Sequence, residues 1–107
     1  MTDRELLELA AKASGELTAS WCGNDAYFDG VLSRWNPLED DGDALRLAVK
    51  LELDVSFGLG GAVVENYRKG QSIEELDAAE PYAAARRAIV RAAAELGARM
   101  MNGERDG

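Results

Sequence analysis

The segment spanning residues 35–51 constrains the fold more than any other part of the chain, because it leads from a sheet into a helix. Pro37 lacks an amide proton and restricts Asn36 to extended conformations, so a strand has to end there. Asp40 is the predicted N-cap of the helix that follows, with Asp43 as its partner three residues later. Both carboxylates are favoured by the positive end of the helix dipole. The predicted buried face of this second helix consists of Ala44, Leu45, Ala48, Val49 and Leu51.

A capping box predicts the first helix. The Thr2 side chain can accept from the third helical N–H while the Glu5 side chain reaches back to the N-cap, and the helix is expected to run to about Ala13. Gly15 is a suitable terminator. Apolar residues recur at three- or four-residue spacing and predict one buried stripe, composed of Leu6, Leu9, Ala10, Ala13 and Leu17.

The spacing of apolar residues changes between the first two helices, which predicts two or three short antiparallel strands over residues 18–35. The Asp29-Gly30 pair suits a tight hairpin turn. After the second helix, the alternation over residues 53–57 predicts a half-buried strand. Residues 62–67 are its expected partner, and the glycine-rich segment 58–61 is the loop between them.

The last third of the chain is expected to contain an acidic connector and a long helix. Residues 69–72 close the second hairpin, and residues 72–80 form a connector whose conformation the pattern leaves open, with a helical turn capped by Ser72 as one alternative. Pro81 fits the first position of a helix that runs to about Met100. A frayed tail, residues 102–107, is expected after it. The predicted apolar stripe consists of Tyr82, Ala85, Ile89, Ala93, Leu96 and Met100.

This order of elements predicts a single α+β domain over residues 1–101, arranged helix-hairpin-helix-hairpin-helix. The expected sheet is antiparallel, has four or five strands and carries the helices on one face. If Trp21, Trp35 or Tyr67 lies on the other face, the exposed apolar area would form a binding or self-association surface.

Composition excludes several kinds of chemistry. The chain has 107 residues and a net charge of -8, which opposes binding to duplex DNA or to an anionic membrane. Cys22 is the only cysteine, so no intramolecular disulfide can form, and a reducing cytoplasm fits best. The absence of histidine removes the commonest general base and the usual catalytic triads. No cofactor is expected.

Two parts of the chain carry a resemblance to a known family. They are WNPL at residues 35–38 with DDGDALRLAVKL at residues 40–51, and ARRAIVRAAAE at residues 85–95. Together they resemble a family of small uncharacterised proteins encoded by bacteriophages and prophages. The resemblance covers roughly a third of the chain and implies a phage or prophage origin, and with it the cytoplasm of a bacterial host. It implies no activity and no catalytic residue.

Two candidate sites follow from the residues. Asp40, Asp41 and Asp43 offer the hard oxygen ligands that calcium and magnesium prefer, but the calcium-loop spacing fails, and helix capping is the preferred interpretation. Arg86, Arg87, Arg91 and Arg99 give residues 81–100 a local charge of about +3 once Glu95 is subtracted. Pairs at four-residue spacing, Arg91 with Glu95 and Glu95 with Arg99, account for part of this charge. Arg86 and Arg87 remain for an acidic partner or a second copy.

The function expected from these observations is non-enzymatic binding of another macromolecule by a phage or prophage accessory protein. The predicted partner-binding residues are Trp35, Arg86 and Arg87, and the partner is a host or phage protein, with a homodimer as a further possibility. A more specific version is an acidic inhibitor of a host nucleic-acid-binding protein. The alternative is a divalent-metal-dependent enzyme or metal-binding protein that uses Asp40, Asp41 and Asp43.

Overall fold

The computed structural model describes residues 1–15, 18–22, 25–28, 34–58 and 60–101. Within these residues the chain is α+β, with three helices and two antiparallel sheets of three strands each. The sequence-based expectations for the Asp29-Gly30 turn, for Leu17 and for the tail 102–107 lie outside the described residues, as do the side chains of Trp21, Cys22, Tyr27 and Tyr67. The elements in chain order are α1 (Asp3–Ser14), β1 (Thr18–Cys22), β2 (Asp25–Phe28), β3 (Arg34–Trp35), α2 (Asp41–Lys50), β4 (Asp54–Gly58), β5 (Gly61–Asn66), β6 (Gln71–Leu76) and α3 (Pro81–Met101).

The predicted capping box of α1 is confirmed. The Glu5 N–H donates to Thr2 Oγ1 at 3.1 Å, and the Thr2 N–H donates to Glu5 Oε1 at 3.0 Å. The hydrogen bond from the Thr2 backbone, aided by the Thr2 hydroxyl, lowers the pKa of the Glu5 carboxyl. Gly15 ends the helix with φ of 76°, a left-handed conformation that glycine adopts without steric strain.

The buried face of α1 differs from the predicted stripe by one position. Leu7, Ala10, Ala11 and Ser14 are buried, whereas Leu6, Leu9 and Ala13 are only half-buried. This rotation follows from the packing of α1 against α3. A Cβ on Gly97 would lie 2.8 Å from the Leu9 carbonyl carbon, so the two backbones approach closely. Such an approach is possible only where the facing side chains are small.

The turn between β3 and α2 has the predicted design. Asn36 and Pro37 are buried, and Asn36 Oδ1 accepts from the Leu38 N–H at 3.0 Å. Asp40 is the N-cap of α2, as predicted, and its side chain accepts from the Asp43 N–H at 2.8 Å.

The prediction for the buried face of α2 is partly wrong. Ala44, Leu47 and Ala48 are buried, but Leu45 and Val49 are exposed.

The second sheet has the order β4-β5-β6 and contributes to the core through one face. Val64 and Ile73 form a cross-strand pair on this face, and both are buried under α3. The opposite face carries exposed polar side chains, among them Ser56, Ser72 and Glu74. Helix α3 therefore covers one face of this sheet and leaves the other open, which is the usual arrangement of an antiparallel sheet.

Strand β6 occupies the first part of the acidic connector, residues 72–80, for which the sequence pattern predicts no single conformation. Its burial alternates, with Gln71 and Ile73 inside and Ser72 and Glu74 outside. Only Ile73 among its first five residues is a strong strand former, and glutamate is depleted in strands, so the local pattern is weak. Pairing with β5 in a continuous register, from Gly61 opposite Leu76 to Asn66 opposite Gln71, decides its conformation.

The first sheet has the order β1-β2-β3. Among the described residues, no single sheet of four or five strands is found, because the strands divide into two sheets of three. The first sheet has three of the two or three strands expected over residues 18–35, and the second hairpin is extended by β6. The element order is therefore helix, three strands, helix, three strands, helix. The third strand of the first sheet is the two-residue β3, which leads directly into the turn before α2.

Candidate binding groove

The acidic segment before and within α2 is a helix cap with ion pairs around it. Asp43 accepts from the Asn36 N–H at 2.9 Å and from Arg46 Nη2 at 2.7 Å. Asp41 accepts from Arg86 Nη1 at 2.6 Å. The predicted capping role is therefore confirmed for Asp40. Asp43 does not accept a hydrogen bond from the N-cap amide of Asp40, as it would in a capping box. Its carboxylate accepts instead from the buried Asn36 N–H.

The metal alternative finds no support in this geometry. The carboxylates of Asp40, Asp41 and Asp43 point to different partners, namely the α2 backbone, Arg86 on α3, and Asn36 with Arg46. In the part of the chain that the structure describes, no group of three or more aspartate, glutamate, cysteine or histidine side chains could hold a metal ion.

The arginines of α3 are engaged within the chain. Arg86 donates from Nε to the Leu38 carbonyl oxygen at 2.8 Å in addition to its bond with Asp41, and Arg87 donates to Asp3 at 2.9 Å. Both arginines therefore have partners within the chain, and their expected role in binding an acidic partner stays a prediction. They connect α3 to α2 and to α1, and the sequence offered no signal for pairs so far apart along the chain.

The other two arginines of α3 also have carboxylate partners. Arg99 pairs with Glu95 at 3.2 Å, as the four-residue spacing predicted. Arg91 pairs with Glu75 on β6 and not with Glu95. The local positive charge of α3 is consequently balanced by carboxylates from α1, α2, β6 and α3 itself, so it does not form a separate basic patch.

Trp35 lies in the core and not on the surface. Its side chain is 6% exposed and belongs to the same buried cluster as Leu47 and Val64. A side chain buried to this extent cannot contact a partner without rearrangement of the fold. Its expected partner-binding role is thus replaced by a packing role, since the short strand β3 directs it inward next to the Asn36-Pro37 turn.

An apolar groove of about 790 Å³ lies between α2, β4 and the first half of α3. Volumes of this size are typical of ligand- or segment-binding clefts. We call it the apolar groove. Its walls are built by Ala44, Leu45, Ala48 and Val49 from α2, Leu53, Val55 and Phe57 from β4 and the residues before it, and Pro81, Tyr82, Ala85 and Ile89 from α3.

Four large apolar side chains around this groove are exposed to solvent. The exposed fractions are 64% for Leu45, 69% for Val49, 73% for Phe57 and 69% for Tyr82. Sequence analysis placed Leu45, Val49 and Tyr82 on buried stripes, and the structure corrects this. Helix α2 has apolar residues on two neighbouring faces. Leu47 packs into the core, so the face that carries Leu45 and Val49 stays exposed to solvent. The presence of two apolar faces on one short helix is the sequence feature that indicates an exposed apolar surface.

The charged side chains that line the groove form ion pairs. Asp41 and Arg86 bridge α2 and α3, and Glu52 pairs with Arg68 at 2.8 Å. The lining contains no cysteine, serine or histidine that could act as a nucleophile or general base. The arrangement is suited to covering apolar surface.

Comparison of the chain with protein-family models, with curated proteins and with solved structures finds no match. Among the helices that the structure describes, none is long and apolar enough to span a bilayer. The residues of the groove themselves therefore carry the functional argument.

Proposed function

We propose that the protein is a non-enzymatic binding module whose apolar groove accepts a segment of a second polypeptide. The concentration of Leu45, Val49, Phe57 and Tyr82 around one groove is the observation that carries the proposal. Exposed apolar side chains scattered singly are ordinary, whereas a contiguous group beside a cleft is typical of an interaction site. The other exposed large apolar residues, such as Leu76, do not line this groove.

Covering these side chains supplies a sufficient driving force for association. Full burial of a large apolar side chain contributes about 1.5–3 kcal/mol, so the two-thirds that is exposed here corresponds to about 1–2 kcal/mol for each residue. Four such residues at the centre of an interface resemble the small clusters that dominate binding energy in protein complexes.

The biological setting of the proposal comes from the family resemblance. A phage or prophage origin places the protein in the cytoplasm of a bacterial host, where host and phage proteins are the available partners. The net charge of -8 favours association with a basic partner at low salt, whereas association with another acidic chain should strengthen as salt screens the repulsion, so the salt dependence distinguishes the two kinds of partner.

Affinity capture from infected or lysogenic host cells tests this proposal with three baits. The first is the wild-type protein, the second carries Leu45→Glu and Val49→Glu in the groove, and the third carries Leu76→Glu. Leu76 is a matched control because it is 60% exposed and lies on β6, away from the groove. We expect a stoichiometric protein that binds the first and third baits and is lost from the second. A partner retained equally by all three baits would contradict the groove as the binding surface.

The acidic-inhibitor version is a second candidate, and a different surface favours it. The open face of the second sheet carries Asp54, Glu65 and Glu74, with Asp54 directly opposite Glu65 in the β4–β5 register. Clustered carboxylates of this kind can imitate phosphate spacing. A captured nucleic-acid-binding protein that tolerates the groove substitutions but is lost on Glu65→Lys with Glu74→Lys would favour this candidate over the first.

A further inference from the structure

The free edge of β4 lies along the apolar groove. In the described residues the second sheet has the order β4-β5-β6, so β4 has a neighbour on one side only. Its pairing with β5 is regular, from Asp54 opposite Glu65 to Gly58 opposite Gly61, without a bulge. Val55 and Phe57 point to the same side of the sheet as the buried Ala62 and line the groove. The apolar groove is therefore lined by side chains of a strand that has a sheet neighbour on one side only.

The two edges of this sheet differ in how well they are protected. The edge strand β6 carries the adjacent Glu74 and Glu75, and Arg91 of α3 pairs with Glu75. Strand β4 has no lysine, proline or bulge, and its one charged residue, Asp54, stands at its start. Since natural proteins usually block a free edge with such features, an unblocked edge beside exposed apolar residues is a pairing site.

We propose that this edge pairs with β4 of a second copy of the chain, in an antiparallel register centred on Ser56. This inference rests on the proposed binding role of the groove and names its occupant, so the protein that the wild-type bait captures through the groove should be a second copy of this chain. The resulting dimer has one continuous six-stranded sheet. Each Phe57 lies against the groove of the other copy, so each groove is filled by the side chain that stands exposed in the single chain.

The sequence of β4 is self-complementary in this register. Val55 stands opposite Phe57 of the second copy, which places apolar side chains together on the groove side of the sheet. Ser56 stands opposite Ser56, and Asp54 stands opposite Gly58, so the carboxylates of the two strands do not face each other. Apolar cross-strand pairs stabilise a sheet and directly opposed like charges destabilise it, so this register meets both requirements.

The exposed surface at the groove contributes to the area that a stable dimer needs. A standard interface buries roughly 800 Å² on each partner. The exposed parts of Phe57 and Tyr82, 73% and 69% of each residue, correspond to about 100–180 Å² each, and Leu45, Val49 and the five residues of β4 add to this area. The total charge of -8 on each copy opposes association, so salt should strengthen the dimer by screening that repulsion.

Sedimentation equilibrium over a concentration series, at low and at high salt, tests the dimer. We expect the wild-type chain to be a dimer that tightens with salt, Phe57→Glu to be a monomer, and Leu76→Glu to match the wild type. Phe57 and Leu76 are both exposed, so neither substitution disturbs the core. A wild-type monomer at all concentrations, or a Phe57→Glu dimer as tight as the wild type, would overturn the inference.

Cysteine cross-linking tests the register independently. In a chain that also carries Cys22→Ser, Ser56→Cys should form an intermolecular disulfide under a mild oxidant, because paired residues of antiparallel strands lie within disulfide reach. Ser72→Cys is the matched control, since Ser72 is exposed on the same face but lies on β6. Equal cross-linking of the two variants would overturn the register. A wild-type monomer that still captures a protein through Leu45 and Val49 would overturn the dimer while leaving the proposed function in place.

Discussion

Replacement of Asp43 by alanine should remove more stability than any other single change in the acidic segment. The Asp43 carboxylate is the acceptor for the Asn36 N–H at 2.9 Å, and Asn36 is only 2% exposed. The same carboxylate accepts from Arg46, whose side chain extends into solvent. Asp43 thus joins the turn after β3 to the first turn of α2, and its replacement by alanine removes this acceptor from a buried amide.

The expected magnitude follows from these contacts. A buried donor left without a partner costs about 1–3 kcal/mol. Loss of a negative charge from the first helical turn costs about 0.3–1 kcal/mol, and the ion pair with the exposed Arg46 contributes at most about 1 kcal/mol. We therefore expect Asp43→Ala to lower the free energy of unfolding by about 2–4 kcal/mol. For Asp40→Ala, which removes the N-cap, the expected loss is about 0.5–2 kcal/mol.

Urea denaturation followed by circular dichroism measures these differences. Asp43→Asn retains one acceptor oxygen for the Asn36 amide and should lose less stability than Asp43→Ala. Glu39→Ala is the control, because Glu39 is exposed and pairs only with the exposed Arg34 among the described residues, so its effect should stay within about 0.5 kcal/mol. If Asp43→Ala is no more destabilising than Glu39→Ala, the linking role of Asp43 is wrong.

The same variants separate capping from metal binding. Because Asp40 and Asp43 are engaged by backbone amides and by Arg46, millimolar calcium or magnesium should leave the melting temperature of the wild-type protein nearly unchanged. A large metal-induced rise in the wild type that disappears in Asp43→Ala would refute this reasoning and favour the metal-binding alternative.

Three further outcomes follow from the packing and the charges. Gly97→Ala should destabilise by about 1–3 kcal/mol in urea denaturation, because its Cβ would press against the Leu9 backbone. Gly58→Ala is the control, since its new Cβ would meet nothing within 4 Å, and equal stability of the two variants would contradict the close packing of α1 on α3. Trp35→Ala should cost about 3–5 kcal/mol, in contrast to the exposed Tyr82→Ala, and full stability would mean that Trp35 is not a core residue. Fluorescence anisotropy should detect no appreciable binding to labelled duplex DNA at physiological salt, and tight binding that weakens steeply with salt would reveal a basic patch on α3.

Local signals in the sequence were reliable for the helix caps, although Arg91 pairs with Glu75 and not with Glu95, the partner that its four-residue spacing predicted. The Thr2 and Glu5 capping box, the left-handed Gly15 and the Asp40 N-cap are all present at the predicted positions. Each depends on hydrogen bonds that span three residues or on the conformational freedom of one residue, so no information from the rest of the fold is needed. The ion pair between Glu95 and Arg99 belongs to the same class.

Interactions between segments that are distant in the sequence could not be predicted from local sequence patterns. Arg86 and Arg87 looked like surplus charges, yet their partners stand at Asp41 and Asp3, 45 and 84 residues away. Strand β6 was missed for the same reason, since its weak local pattern is overridden by pairing with β5. The division of the described strands into two sheets of three also depends on pairing that no local pattern encodes.

The sequence by itself determined that α2 is amphipathic and where it begins, since periodicity and caps are local properties. It did not determine which apolar row of α2 enters the core, because Leu45 and Val49 are as apolar as Leu47. Only the tertiary structure decided this, by packing α2 against α3 so that Leu47 is buried and the other two residues face the groove. The physical reason is that a ten-residue helix beside one neighbour can bury a single face, and the candidate binding site is the face that remains.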